Sequence, residues 1–104
     1  MRIIAAIIYA AAVSHGVSPA ALMELARCES TFRPWVVSSE GYVGLFQLGS
    51  PGLLDEFRAW EPTQGFTVSD WADPARASNF VAEQLAVGRW GPWPACSRRA
   101  RLLL

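Results

Sequence analysis

Three times in this chain a helix-capping residue stands directly before a proline: Ser18-Pro19, Ser50-Pro51 and Asp73-Pro74. Serine and aspartate satisfy the first free N–H groups of a helix. Proline suits the first helical position, where its missing N–H costs nothing. Each pair therefore reads as a helix start, and together they divide the chain into short helices. One helix precedes them over residues 2–14 and is closed by Gly16. The second opens at Ser18-Pro19 and runs to about Ser30, because Pro34 pushes the residue before it out of the helical region. The third opens at Ser50-Pro51, with Leu53, Leu54 and Phe57 inward. The fourth opens at Asp73-Pro74 and reaches Gly88, with Ala77, Phe80, Val81 and Leu85 on one face.

The intervening segments are short. Trp35-Val36-Val37 and residues 42–48 flank a Ser38-Ser39-Glu40-Gly41 turn, which predicts a small hairpin or loop after the second helix. Residues 61–72, with Pro62 and Gly65, read as a loop. Residues 89–104 hold Trp90, Pro92, Trp93, Pro94 and Cys96 before a basic-apolar tail. At 104 residues, 52% hydrophobic and 17% charged, the chain is too apolar for disorder and long enough for one core. The expected fold is mainly α in a single domain, with residues 98–104 as its tail.

Nine basic residues, all arginine, balance nine carboxylates. A zero net charge excludes nucleic acid as the main partner, since that affinity needs many cationic contacts to phosphate. The sum hides a segregation: residues 55–73 carry five acids and one arginine, while 89–104 carry four arginines and no acid. The apolar run over 3–13 is far shorter than the roughly 20 residues of a membrane span, so no stable membrane insertion is expected. Two readings of that run stand. It is a secretory signal, with Arg2 ahead of it and Ala10-Ala11-Ala12 as the cleavage site. Or it is an amphipathic first helix, with Ile3, Ile4, Ile7, Ile8 and Ala11 on one face.

Cys28 and Cys96 form no metal motif, since zinc needs about four clustered ligands and His15 is the only histidine. They are expected to pair as a disulfide if the protein works outside the cytoplasm, and otherwise to be two buried thiols. Neither a metal nor another cofactor is expected.

One residue does not fit its position. The apolar stripe of the second helix reads Leu22, Leu25, Ala26, and its next place falls on Glu29, while Glu24 and Arg27 take the opposite face. Partial desolvation and the negative end of the helix dipole both raise the pKa of a carboxyl placed there. A carboxyl that keeps its proton near neutral pH is a general acid. Arg27 or Arg33 would oppose the shift by approaching it. The alternative is a frayed helix end with Glu29 in water.

Cys28-Glu29-Ser30, followed by Gly44-Leu45-Phe46-Gln47, resembles the soluble lytic transglycosylase and goose-type lysozyme family. The family's pattern is a Glu-Ser pair ending a helix and then Gly-Leu-Met/Phe-Gln. The entry Gly16-Val17-Ser18-Pro19, the later Asp73-Pro74 with Asn79, and the ending Trp90-Gly91-Pro92-Trp93 with Cys96 are similar too, the last to small phage and actinobacterial members. Cys-Glu-Ser is also shared with the resuscitation-promoting factors. The resemblance covers about residues 2–97, and it favours retention of the first helix, since only residues 2–14 can supply the helix that precedes the family's entry. The family's Ala-Tyr-Asn motif, with its active-site tyrosine, has no counterpart here; Trp90 or Trp93 is the aromatic available for that region.

The resemblance implies a lysozyme-like fold and a peptidoglycan-cleaving enzyme that acts outside the cytoplasm as a monomer, in wall remodelling or as a phage endolysin. Its substrate would be the glycan strand, cut between N-acetylmuramic acid and N-acetylglucosamine with Glu29 as general acid and then base. Ser30 would orient that carboxylate. Gln47 would meet an N-acetyl group or Glu29, and Gly44 would let the sugar approach the backbone. Tyr42, Trp90 and Trp93 would stack on sugar rings, and Asn79 would reach the groove. A hydrolase would need a second carboxylate, for which Glu40, Asp70 and Asp73 are available. Two rivals remain: a glycan-binding module without catalysis, and a membrane-active protein resting on residues 3–13.

Overall fold

The computed structural model describes residues 2–104. Among them are five helices: α1 (Arg2–Ser14), α2 (Pro19–Ser30), α3 (Leu53–Thr63), α4 (Pro74–Ala86) and α5 (Pro94–Arg101). α1 packs on α4 and α2, α2 packs on α5, and α3 touches α4. The shared core is built from Leu22, Leu25 and Ala26 of α2, Phe57 of α3 and Phe80 and Val81 of α4. Phe46, Leu48 and Trp93 complete it from the connecting segments.

Two of the three expected starts cap as read. Ser18 Oγ accepts the Ala21 N–H at 3.2 Å, and Asp73 Oδ1 accepts that of Ala75 at 2.9 Å. The third differs. Ser50 Oγ donates to the Asp55 carboxylate instead of capping, Asp55 Oδ2 accepts the Gly52 N–H at 2.9 Å, and α3 begins at Leu53. α3 also runs past Pro62 to Thr63, into the segment 61–72 expected as a loop. A proline in the last turn removes little of the helix ladder, and the buried Glu61 holds that turn in place. The expected hairpin reduces to isolated antiparallel bridges from Val43 to Val37 and to Leu48. Left-handed backbone at Gly44 (φ +82°) and Gln47 (φ +53°) turns the chain before a ladder can extend.

Residues 2–14 are helical, as the amphipathic reading expected, but the buried face is Ile8, Ala11 and Ala12, with Ile3 exposed. α5 runs through positions 97 and 98, and its Ala100 is fully buried. Cys28 and Cys96 are disulfide-bonded, joining the end of α2 to the start of α5.

Candidate active site

The last turn of α2 places Glu29 at the edge of the core. Thr31 closes the helix in the left-handed conformation, its N–H donating to the Arg27 carbonyl at 2.9 Å. Half-buried there, Glu29 has its carboxyl pushed up by desolvation to about 6. Neither nearby arginine opposes this. Arg27 is spent on Glu24, with Nε donating at 2.8 Å, and Arg33 Nε donates to the Ser30 carbonyl at 2.8 Å.

Glu29 opens into a groove of about 390 Å³. One wall comes from the segment after α2, through Ser38, Glu40, Tyr42 and Gln47. The other comes from the lead-in of α5, through Pro92, Trp93, Pro94 and Ala95. The Cys28–Cys96 bond brings the second wall to Glu29, since Cys28 is its chain neighbour. The walls also touch each other, because Trp93 Nε1 donates to the Phe46 carbonyl at 2.9 Å.

Of the residues named from sequence, Tyr42, Gln47 and Trp93 line the groove with Glu29. Tyr42 is half-exposed, whereas Trp93 is buried and leaves little surface open to a ligand. Gln47 Nε2 donates to the Gly44 carbonyl at 3.0 Å, so Oε1 is the acceptor it can offer a ligand. Gly44 itself is buried; a Cβ there would stand 3.1 Å from the Trp71 carbonyl oxygen. Its role is to let two backbones approach. Ser30 is also buried, and its hydroxyl donates to the Ala26 carbonyl and accepts the Arg33 N–H, bonds that bypass the Glu29 carboxylate. A helix-end serine finds its own backbone first. Trp90 is core and lies outside the groove lining. Asn79 lines a different depression, with His15.

Among the three possible second carboxylates, only Glu40 lines this groove. It is exposed, and the Ser39 hydroxyl holds its carboxyl below the usual range. Asp70 accepts the Ala72 N–H and Asp73 caps α4, both elsewhere. Within the wall at 92–95 the sequence points to Trp93 but not to its neighbours Pro92, Pro94 and Ala95. Their signal was the cysteine pair: a bridge to Cys28 brings the neighbours of Cys96 beside Glu29. Among the described residues no cluster of His, Cys, Asp and Glu could hold a metal ion, and no helix is long and apolar enough to cross a membrane.

A family model, "Transglycosylase SLT domain", matches residues 6–87. That span holds Glu29 and the 38–47 wall and stops short of the α5 wall. No curated protein and no solved structure matches the chain.

Proposed function

The chain belongs to the transglycosylase SLT domain family, and from that premise we propose that it cleaves the glycan strand of peptidoglycan between N-acetylmuramic acid and N-acetylglucosamine. Glu29 protonates the leaving glycosidic oxygen. The same carboxylate then takes the proton of the muramoyl 6-hydroxyl as that oxygen attacks C1, closing a 1,6-anhydro ring. One group serves both steps, and no water is consumed.

The observation that carries this reading is a half-buried carboxyl, pushed up to about 6, opening on a groove with an aromatic and amide lining. A general acid is most effective when its pKa lies near the working pH. Tyr42 supplies a half-exposed ring for a sugar face and Gln47 an acceptor for an N-acetyl N–H. The Cys28–Cys96 disulfide fits action in an oxidising compartment, outside the cytoplasm where the wall lies.

A second reading rests on Glu40. It shares the groove with Glu29 and its pKa is displaced the opposite way. Two carboxyls driven apart in this manner are the pattern of acid-plus-base hydrolysis. Digestion of purified walls followed by mass spectrometry separates the two. Products lighter by one water than hydrolysed muropeptides, lost in Glu29→Gln and kept in Glu40→Gln, establish the transglycosylase. Hydrated products lost in both variants establish the hydrolase. Unchanged release by Glu29→Gln would refute both.

A further inference from the structure

We propose that the chain carries a second glycan-binding cleft, between α3, α4 and His15, which holds an N-acetylated sugar strand without cutting it. This cleft encloses about 360 Å³, close to the size of the Glu29 groove, and shares no lining residue with it. Its platform is Trp60. The indole packs against Phe57 and Phe80, with centroids 5.8 and 5.5 Å away, and its N–H donates to Glu83 Oε2 at 3.0 Å. The ring is therefore fixed, yet it stays partly exposed to the cleft. A rigid aromatic face that loses little entropy on contact suits the C–H face of a pyranose.

The polar groups suit the same ligand. Gln64 brings a planar amide and Glu83 an acceptor for hydroxyls, while Asn79 borders the cleft with its Nδ2 donating to the Ala75 carbonyl at 2.8 Å and its Oδ1 3.2 Å from His15 Nε2. Arg76 is not free for an anion, because it pairs with the buried Glu61 at 2.9 Å and stacks 3.8 Å over Phe66. With Asp73 and Glu83 also present, the lining disfavours phosphate or carboxylate ligands. A further depression of about 290 Å³ along α1 and α4, lined by Ile7, Ala10 and Ser14, shares Ala75 and Asn79 with the cleft. The combined trough matches an extended strand better than a single small molecule.

The test uses the full chain carrying Glu29→Gln, titrated with an N-acetylglucosamine tetramer and followed by NMR. His15 gives the only histidine ring signal, and the Trp60 indole N–H reports the platform. Saturable shifts of both signals are expected, with Gln64→Ala and Trp60→Leu each weakening binding at this cleft about fivefold. Gln64→Ala alters an exposed side chain, so it remains decisive if Trp60→Leu fails to fold. The proposal is overturned if both signals stay still while the tetramer saturates the Glu29 groove, or if Gln64→Ala binds as the parent does. It is equally overturned if a lysine-rich peptide moves them and the sugar does not. None of these readouts needs wall cleavage, so failure of the catalytic reading leaves the test intact.

Discussion

Cys28, one residue before Glu29, is bonded to Cys96, one residue after the Ala95 that ends the opposite wall of the groove. The crosslink thus ties the acid to the wall that encloses it, across 68 residues of chain. A Cys28→Ser/Cys96→Ser variant is expected to lose about 2–4 kcal/mol of stability, through the freedom returned to its unfolded chain. Urea denaturation measures that loss. Wall cleavage at a temperature where the variant remains folded should fall as well, because α5 is then held only by packing and by hydrogen bonds such as that from Trp93 to the Phe46 carbonyl.

Glu29 makes stability and activity depend on pH in the same direction. The unfolded chain protonates this carboxyl near 4.5 and the folded chain near about 6. The folded state holds the proton more tightly, so its contribution is full below pH 4.5 and is lost as pH rises through about 6. Solvent screening of a half-buried group limits the loss to about 1 kcal/mol. Glu29→Gln, which cannot titrate, should melt later than the parent at about pH 8 and equally at about pH 4. Cleavage by the parent should decline above about pH 6, where the acid is no longer protonated.

Glu61 works in the opposite sense. Burial alone would raise its carboxyl, but the Ser69 hydroxyl, the Asp70 N–H and Arg76 hold it below the usual range. Its contribution is present above the ordinary 4.5 and is lost as pH falls through the depressed value. Glu61→Ala leaves Arg76 without its buried partner and is expected to cost about 3–5 kcal/mol, read as a lowered denaturation midpoint at neutral pH. The two carboxylates together place maximum stability in the mildly acidic range.

Gly44→Ala tests the loop that carries Gln47. The position has φ +82°, and the added Cβ meets the Trp71 carbonyl oxygen at 3.1 Å. Left-handed strain and that contact should lower stability by about 1–2 kcal/mol. The Gly44 carbonyl also accepts the Gln47 amide, so affinity for glycan should fall along with the melting temperature. An unchanged melt would show that the loop relaxes freely.

How far the sequence carried the site varies residue by residue. Glu29 was legible because helical periodicity put an acid where an apolar side chain belonged, and the structure finds it half-buried there. Ser30 does not orient the Glu29 carboxylate, because two neighbours in sequence do not share a direction on a helix. Its hydroxyl turns to the Ala26 carbonyl. Asn79 and Trp90 lie away from the Glu29 groove, Asn79 in a cleft with His15 and Trp90 buried in the core, because a sequence motif does not reveal which surfaces the fold brings together. Glu40 stands in the turn at 38–41 with nothing in the sequence to favour it over Asp70 or Asp73, and only the folding of the 38–47 segment brings it to the groove.

The sequence by itself determined the helical class and two of the three capped starts, since capping and periodicity act within a few residues of chain. The core faces of α2 and α4 follow from the same local rules. Tertiary structure decided what depends on distant pairing. It brought the proline-rich segment at 92–95 to Glu29 through Cys28 and Cys96. It sent Asn79 to a separate cleft with His15 and Trp60. Both arginines are kept from Glu29 by local bonds instead, Arg27 to Glu24 and Arg33 to the Ser30 carbonyl, each three residues away. Local propensity sets the elements, but desolvation of a carboxyl depends on which surfaces meet around it.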